Sequence, residues 1–334
     1  MQQKHSNIAI FVPHNGCPHQ CTFCNQREIT GQTFQPHYED VSNAVKIARE
    51  SLGEKTKTAE IAFFGGSFTA IDRDYMIELL SAAHPYVSSG EFHGIRISTR
   101  PDAIDDEILE VLSNYGVTAI ELGAQSMDDK VLLLNKRGHT SEDVEKASEL
   151  IHEYRFSLGL QMMTALYGSS DRTDKETARK IAELNPDTVR IYPTVVMKGT
   201  ELYRLYTDGE YEPQTVGDAI ELCSELLSFF EGKGINVIRL GLHDSESLRM
   251  NMAAGAFHPA LREMCESRII LKNTFNLLKE KGINSGTVEF TVSEKSVSRF
   301  IGQKKCNLKE LEKSGITAII KQSPELGKYE VRIS

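Results

Sequence analysis

Short runs of β-branched and aromatic residues alternate with longer amphipathic stretches between residues 7 and 242. The short runs have the length and composition of buried strands, and the stretches between them repeat apolar residues at helical spacing. Several of these helical stretches open on Asp, Ser or Thr, residues that suit an N-cap. The predicted strands are 7–13, 59–66, 94–100, 119–126, 156–163, 188–196 and 236–242.

A repeat of strand and helix predicts a parallel sheet with right-handed crossovers. Because the chain carries six or more such units, we expect an α/β fold with a partial or full (β/α) barrel, in preference to an open doubly wound sheet. In either arrangement the reactive groups lie at the carboxyl ends of the strands. That edge collects the cysteine-rich segment 17–24, the pair Gly65 and Gly66, Gln125 and Gln161.

The pattern changes after residue 267, and we predict two domains: a barrel of residues 1–267 and a basic α+β domain of residues 268–334. The second segment reads helix, strand, helix, turn, helix, strand, turn, strand. It holds 13 Lys and Arg against 7 Asp and Glu, a balance of +6, which leaves −15 for the first segment in a chain of net charge −9. The net charge by itself argues against a general affinity for nucleic acid, but the charge is uneven, and a basic tail follows an acidic body.

Length and cysteine content narrow the class of protein. A chain of 334 residues can bury a full core without disulfide staples. Its six cysteines, three of them clustered, do not form the dense framework of a small secreted fold. The first residues lack a basic n-region, and no run approaches the roughly 18 apolar residues of a membrane span. We therefore expect a cytoplasmic protein without membrane association.

The stretch CPHQCTFC places three thiols, Cys17, Cys21 and Cys24, on one short loop. Three kinds of site fit such a loop. A structural zinc site needs a fourth ligand, which His14 or His19 could supply. A redox disulfide needs only two cysteines. An iron–sulfur cluster normally takes four thiolates, so three would leave one iron without a protein ligand.

The spacing Cys-x3-Cys-x2-Cys, with Phe23 just before the last cysteine, resembles the signature of the radical S-adenosylmethionine (SAM) superfamily. The resemblance implies an enzyme with a [4Fe-4S] cluster on Cys17, Cys21 and Cys24, whose open iron binds SAM. In that family, one electron from the reduced cluster cleaves SAM and yields a 5′-deoxyadenosyl radical that takes hydrogen from the substrate. It also implies an electron donor such as flavodoxin or ferredoxin.

The stretch FFGGSF, residues 63–68, resembles the Gly-Gly-Glu-type element with which this family binds the SAM amino group. Two positions depart from the family pattern: Ser98 stands where many members carry Glu, and Gln161 replaces the Asp of the branch that includes oxygen-independent coproporphyrinogen oxidase. The SAM contacts that the resemblance implies are Phe23, Gly65, Gly66, Ser67, Ser98, Gln125, Arg137 and Gln161.

The stretches ISTRPD, IELGAQS and RGHT, and above all residues 189–211, resemble the radical SAM domain of the Elongator catalytic subunits, which modify tRNA. This resemblance implies an RNA substrate, most specifically tRNA. Those proteins space their cysteines more widely, and we expect the residues after the barrel to be too few for an acetyltransferase domain. Two alternatives stay open: a small-molecule substrate such as a porphyrin precursor, or a non-catalytic RNA-binding protein stapled by zinc.

The stretch SVSRFIGQKKCNLKELEKSGITAII resembles the core of a KH domain, in which a Gly-x-x-Gly loop between two helices clamps single-stranded nucleotides. Here the second glycine of the loop is replaced by Lys305. The resemblance implies RNA contacts from Gly302, Lys304 and Lys305. The alternative is an ordinary α/β cap whose lysines are a solvated face.

Overall fold

The computed structural model describes residues 6–13, 20–24 and 34–333, and its main body is a sheet of seven parallel strands. A two-stranded antiparallel ladder lies beside it, formed by β7 (Val195–Met197) and β9 (Met252–Gly255). The strands of the main sheet are β1 (Ser6–Val12), β2 (Ala59–Gly65), β3 (Gly94–Thr99), β4 (Val117–Gln125), β5 (Ser157–Thr164), β6 (Thr188–Pro193) and β8 (Asn236–Leu240).

The strands lie across the sheet in chain order, β1-β2-β3-β4-β5-β6-β8. Within the described residues, β1 and β8 each pair on one side only, so the sheet is an open half-barrel. Sequential order confirms the predicted partial (β/α) barrel, because a doubly wound sheet reverses its order at a switch point.

The predicted strand 188–196 is divided in the structure. β6 ends at Pro193, which has no N–H to donate to the ladder. The buried Thr194 then directs both its N–H (3.0 Å) and its hydroxyl (2.6 Å) to the carbonyl oxygen of Thr164 at the end of β5. The chain leaves the main sheet at this point, and the following residues form β7 with a different partner.

Helices cover the outer face of the sheet, and the predicted polar caps are present. Asp105 accepts the N–H of Ile108 at 2.8 Å, and Thr140 forms a capping box with Asp143. Of the described helices, none has the length and apolar character that a membrane crossing requires. The helices up to residue 251 are α1 (Tyr38–Leu52), α2 (Arg73–Ser88), α3 (Asp106–Asn114), α4 (Asp129–Leu134), α5 (Ser141–Glu153), α6 (Asp171–Glu183), α7 (Glu201–Thr207), α8 (Val216–Gly232) and α9 (Glu246–Asn251).

The two faces of the sheet differ in chemistry because side chains alternate along each strand. One set of positions is aliphatic, fully buried and packed against the helices; it includes Ile61, Ile97, Ile120, Leu160 and Ile191. The alternate positions form the concave inner face, and several of them carry charged side chains. The half-barrel therefore has an apolar exterior under the helices and a polar interior.

The C-terminal part is a small α+β unit with a mixed sheet of order β11-β10-β12. β10 and β11 are parallel, and β12 is antiparallel to β10. The order of helices and strands is the predicted one. The elements are α10 (Leu261–Glu280), β10 (Gly286–Ser293), α11 (Val297–Ile301), α12 (Cys306–Lys313), β11 (Ile316–Ser323) and β12 (Val331–Ile333).

Helix α10 belongs to both cores. Leu261 and Cys265 pack into the core of the half-barrel, while Leu271 and Leu278 pack into the core of the C-terminal unit. The predicted division between residues 267 and 268 falls within this helix. The assignment of two domains stays a prediction, and α10 is the element that joins them.

Glu266 on α10 fixes the C-terminal unit to the half-barrel. Its carboxylate is 3% exposed and accepts from Arg299 of α11, from Lys328 (2.9 Å) and from Arg262 (3.1 Å). Burial raises the pKa of Glu266, but the hydrogen bond from Lys328 and the charges around it outweigh burial and hold the pKa below its ordinary value. Three cations thus compensate one buried carboxylate at the junction.

A second buried carboxylate, Asp174 of α6, stabilises the loop after β5. Ala165 has a left-handed backbone (φ 55°), donates its N–H to Asp174 at 2.8 Å, and accepts from the Tyr211 hydroxyl at 2.7 Å. Burial raises the pKa of Asp174 to about 7. The carboxyl group therefore changes its charge near neutral pH.

We predict that Glu266→Gln lowers the free energy of unfolding by about 1–3 kcal/mol, the lower part of the range being favoured because the cationic partners are partly exposed. The neutral amide leaves three cations without their shared counter-charge. Urea unfolding measures the effect. The control is Glu310→Gln, which removes an exposed carboxylate paired with Lys313 and should change stability little. Equal stability of the Glu266→Gln protein and the wild type would contradict the structural role of this carboxylate.

We predict that Asp174→Asn stabilises the protein at pH 8 and that the gain shrinks as the pH falls toward 4. The folded-state pKa of about 7 lies above the unfolded value of about 3.9, so the folded state binds the proton more tightly and the wild type loses stability between these values as pH rises. Asparagine stays neutral and can still accept from Ala165. Melting temperatures at pH 5, 6, 7 and 8 test this. Asp74→Asn, a change of an exposed residue in the first turn of α2, should show no such pH-dependent gain. A gain of constant size across the series would contradict the assignment.

Candidate cofactor site at the carboxyl end of the sheet

The described part of the cysteine loop, residues 20–24, is held by the fully buried Asn135. Thr22 donates its N–H to the carbonyl oxygen of Asn135 (3.2 Å) and its hydroxyl to the Oδ1 of the same residue (2.8 Å). The Asn135 amide donates in turn to the carbonyl oxygens of Val131 (2.8 Å) and Tyr167 (2.9 Å). The connection between α4 and α5 therefore holds the backbone of the cysteine loop in place.

The other side of the loop rests on α7. Leu202 donates its N–H to the carbonyl oxygen of Thr22 at 2.8 Å, and the ring of Phe23 packs on an apolar cluster. The predicted SAM contact from Phe23 stays a prediction, and the structure gives this side chain an anchoring role. The cluster beneath it consists of Val196, Leu202, Leu205 and Tyr211.

Two of the three clustered cysteines are described. Cys21 is buried and Cys24 is half-buried, and a turn brings the N–H of Cys24 to 3.1 Å from the carbonyl oxygen of Cys21. Cys17 lies outside the described residues, as do His14 and His19, the proposed ligands for zinc. The predicted cluster ligation by Cys17, Cys21 and Cys24 stays a prediction.

Arg137 brings a positive charge to the cysteine loop. Its Nη1 donates to the Sγ of Cys21 at 3.2 Å, and its Nη2 donates to the carbonyl oxygen of Gly123 at 2.7 Å. Arg100 holds the backbone of Arg137 through a 2.5 Å bond from Nη2 to the carbonyl oxygen and is itself paired with Asp102. A guanidinium fixed in this way complements the charge of a cluster-bound thiolate.

Three buried polar atoms beside Arg137 have no hydrogen-bond partner among the described residues: Gln125 Oε1, Arg137 Nε and His139 Nδ1. Gln125 also holds a left-handed backbone (φ 63°), which costs free energy for a residue with a Cβ. Buried polar atoms normally have partners, so a group of three that lacks them fits a polar ligand. Gln125 and Arg137 are among the predicted SAM contacts.

His139 is a neutral imidazole in this site. Burial and the charge of Arg137 lower its pKa to about 4. Its Nε2 lies 3.2 Å from the carbonyl oxygen of Ala124, an atom that can only accept, so Nε2 carries the proton. Nδ1 is then an acceptor. The site therefore offers a ligand two acceptors, from Gln125 and His139, and one donor, from Arg137.

The glycines after β2 allow close contact with β1. A Cβ on Gly65 would lie 2.6 Å from the carbonyl oxygen of Val12, and Gly66 donates its N–H to the same oxygen at 3.0 Å. The hydroxyl of Ser67 is buried, lies 2.8 Å from Thr99 Oγ1 and accepts the N–H of Arg100 at 3.1 Å. These contacts shape the ends of β1 and β2, and SAM contacts from these three residues stay predictions.

Gln161 and Ser98 lie deeper, on the inner face. Gln161 Nε2 donates to Glu121 at 3.1 Å and lies 3.5 Å from the Ser98 hydroxyl. Both side chains thus adjoin a network of buried charges, and their predicted SAM contacts stay predictions.

The network of buried charges is centred on Glu121. Glu121 accepts from Arg190 in bidentate geometry (2.6 and 2.8 Å) and from Arg96 at 3.3 Å. Arg96 also donates to Glu60 at 2.6 Å.

Sequence reasoning missed the anchor Asn135 and the charge network. A signal for the network was present, because AEIAF, GIRIS, AIELG and TVRIY each place a charged residue between the aliphatic residues of a predicted strand. In a strand with helices on one face, such a residue must point to the other face, and four of these charges must pair to be buried. No comparable local signal marks Asn135.

The loop of the C-terminal unit is tight and exposes two cations. Gly302 has φ 75°, and a Cβ there would lie 2.6 Å from Cys306 Sγ. Lys304 and Lys305 are both exposed and left-handed (φ 52° and 61°), and neither forms an ion pair with a described residue. Lys305, at the position of the second KH glycine, keeps a backbone conformation that glycine favours. The KH resemblance itself stays a prediction.

Comparison with known proteins supports the resemblance of this chain to the radical SAM superfamily. The profile of the Radical SAM superfamily matches residues 11–181, and that of the Radical_SAM C-terminal domain matches residues 186–270. A tRNA uridine(34) acetyltransferase of Methanocaldococcus jannaschii is 28% identical over 258 residues, which are 65% of this chain and 47% of that protein. Elongator complex protein 3 of Homo sapiens is 30% identical over 266 residues, 66% of this chain and 48% of that one.

The chain thus spans about half the length of these curated relatives. Among solved structures, the archaeal Methanocaldococcus infernus Elp3 with an N-terminal deletion superimposes with a TM-score of 0.61. That likeness has 23% identity and covers 84% of this chain and 63% of the other, so it shows a shared fold.

A [4Fe-4S] cluster and SAM are the cofactors of the superfamily whose profile matches half of this chain. The geometry fits them: a guanidinium faces the sulfur of Cys21, and beside it lie buried polar atoms that no described residue satisfies. The resemblance to the Elongator catalytic subunits is confirmed as well. The chain is an enzyme, and it belongs to the radical SAM superfamily, as the spacing of its cysteines predicted.

Proposed function

We propose that this enzyme modifies RNA, most specifically tRNA, in the cytoplasm. RNA is proposed as the substrate because the chain is similar, over 65% of its length, to a protein named tRNA uridine(34) acetyltransferase. Acetyl transfer is not part of the proposal, because the similarity spans only 47% of the Methanocaldococcus jannaschii protein. The chemistry is supported by the contact between Arg137 and Cys21, together with the buried polar atoms of Gln125, Arg137 and His139 that have no partner among the described residues.

In this proposal, Cys17, Cys21 and Cys24 hold the cluster, and Gln125 and Arg137 contact SAM. When bound and reduced by a donor such as flavodoxin or ferredoxin, these cofactors supply a carbon radical that removes a hydrogen atom from the substrate. The protein itself holds the cysteine loop through Asn135, balances the charge of the sulfur through Arg137, and offers acceptor atoms to the amino and hydroxyl groups of SAM.

The C-terminal unit is proposed to hold the RNA backbone through Gly302, Lys304 and Lys305. Two exposed lysines without ion-pair partners among the described residues lie in one tight turn. Lysine contacts to phosphate act as point charges and add affinity without reading sequence. The positive balance of the residues after 267 supports the same interpretation.

The function is tested by comparing nucleosides of total RNA from wild-type and deletion cells by mass spectrometry. We expect one modified nucleoside to disappear in the deletion strain and to return when the wild-type gene is restored. Cys21→Ala should fail to restore it because the cluster loses a ligand. Cys223→Ala is the matched control, since that thiol is fully buried, with a pKa raised by burial to about 12, and lies on α8. Identical profiles in deletion and wild-type cells would exclude RNA modification.

The role of the C-terminal loop is tested with Lys304→Glu/Lys305→Glu. We expect binding of total tRNA to weaken at least tenfold, and the dependence of log affinity on log salt to flatten by roughly one to two units, because two phosphate contacts are lost. Fluorescence anisotropy at several salt concentrations measures both. The control is Lys279→Glu/Lys281→Glu, an equal change of charge on exposed residues of the same unit. Equal losses from both double variants would leave no specific role for the loop.

A further inference from the structure

On the inner face of the half-barrel, Arg239 has no carboxylate partner among the residues that the structure describes. Arg239 on β8 is the register neighbour of Arg190 on β6, and paired residues of parallel strands point to the same side of a sheet. Arg190 is neutralised by the bidentate contact with Glu121. Arg239 has no ion pair with any described residue. The buried charge network therefore leaves one positive charge on the concave face.

Arg239 makes one hydrogen bond to a described residue, and this bond leaves the rest of its guanidinium available. Its Nε donates to the carbonyl oxygen of Gly241 at 2.9 Å, and in the described part of the chain its two terminal nitrogens have no partner. The side chain is half-buried and comes from the last residue but one of β8. A half-buried guanidinium with both terminal nitrogens available suits bidentate binding of an oxyanion, a phosphate or a carboxylate.

Tyr192 adds a donor at the same height. It is the last residue but one of β6, and burial raises its pKa, so that the phenol stays protonated. Arg239 pairs in register with Arg190, and Tyr192 follows Arg190 by two positions on the same face of β6, so the two side chains lie on neighbouring strands near each other. A guanidinium and a phenol thus lie close to the carboxyl ends of adjacent strands, and both can donate to an oxyanion.

Aromatic rings lie on the same concave face. The ring of Phe64 on β2 lies 5.3 Å from the guanidinium carbon of Arg190 on β6, so the sheet curls enough for these strands to meet across the interior. Phe11 on the edge strand β1 pairs in register with Phe64, and 37% of its surface is exposed. An exposed aromatic residue on the inner side of an edge strand leaves a platform on which a planar base can stack.

We propose that Arg239 binds a phosphate group of the substrate nucleotide inside the half-barrel, with the base against Phe64 and Phe11. This inference rests on the proposed function and identifies the part of the substrate that the barrel recognises. The arrangement matches a nucleotide, which carries one oxyanion and one planar ring. The nucleotide would enter through the open side of the sheet between β1 and β8.

The test compares nucleoside 5′-monophosphates with the matching nucleosides, by calorimetric titration of the full chain with its cluster reconstituted and SAM bound. We expect the monophosphate that binds best to exceed its nucleoside by about tenfold to hundredfold, the range of a charge-assisted contact. Arg239→Gln should abolish this difference, and Arg239→Lys should keep part of it. Arg49→Gln, an exposed arginine on α1 paired with Glu91, should leave it unchanged. A wild type without phosphate preference, or an Arg239→Gln protein that keeps it, overturns the inference.

A titration with SAM distinguishes the two oxyanions that Arg239 could bind, the phosphate of the substrate and the carboxylate of SAM. The dissociation constant for SAM should be the same in the wild type and in Arg239→Gln; a weaker affinity for SAM with an unchanged phosphate preference assigns Arg239 to the cofactor carboxylate and overturns the proposal. Melting temperatures of Arg239→Gln and Arg239→Lys confirm folding, which we expect because no described ion pair is lost. These outcomes are independent of the nucleoside profiles, so failure of tRNA modification and failure of phosphate recognition are distinguishable.

Discussion

The bidentate ion pair between Glu121 and Arg190 is the contact on which the half-barrel depends. Within the described residues the sheet does not close, so no ladder joins its two edges and side chains must maintain its curvature. Glu121 on β4 is 1% exposed and accepts from Arg96 of β3, Gln161 of β5 and Arg190 of β6. A buried carboxylate without these partners is strongly destabilising, so the network permits one arrangement of the four strands. The network makes the interior of the half-barrel polar, and a polar interior is suited to hold a substrate.

At the carboxyl ends of the strands, a few neighbouring residues hold the cysteine loop and set its electrostatic surroundings. Asn135 and Arg137 lie two residues apart after α4; one holds the backbone of the cysteine loop and the other faces Cys21. A single turn thus determines both the position of the loop and its electrostatic surroundings. Gln125 and His139 add buried acceptor atoms to the same place. The site therefore combines a rigid frame with unsatisfied polar groups, an arrangement that is stable when a polar ligand completes it.

The C-terminal unit is attached through a helix and a buried carboxylate, not through a flexible linker. α10 packs into both cores, and Glu266 collects three cations at the junction. The loop with Lys304 and Lys305 consequently has a defined position relative to the half-barrel. A negatively charged barrel repels a polyanion except where local cations bind it, so under the proposed function a basic unit at a defined position would orient the RNA.

The sequence by itself determined the strands of the main sheet, their sequential (β/α) order and the polar helix caps, because periodicity is a local property of the chain. The close cysteine spacing carried the resemblance that implied the cofactors. The sequence also contained, without our interpreting it, the charged residue between aliphatic ones that marks the inner face of four strands. Only the tertiary structure decided which charges meet: Glu121 and Arg190 are 69 positions apart, and Thr22 and Asn135 are 113 apart. The division of the predicted strand 188–196 at Thr194 was likewise decided by a contact with Thr164 on another strand. The alternation of side chains along a strand specifies the face of the sheet on which a residue lies, but not the residue with which it pairs. That pairing depends on how strongly the sheet curls and on where each connecting loop returns the chain.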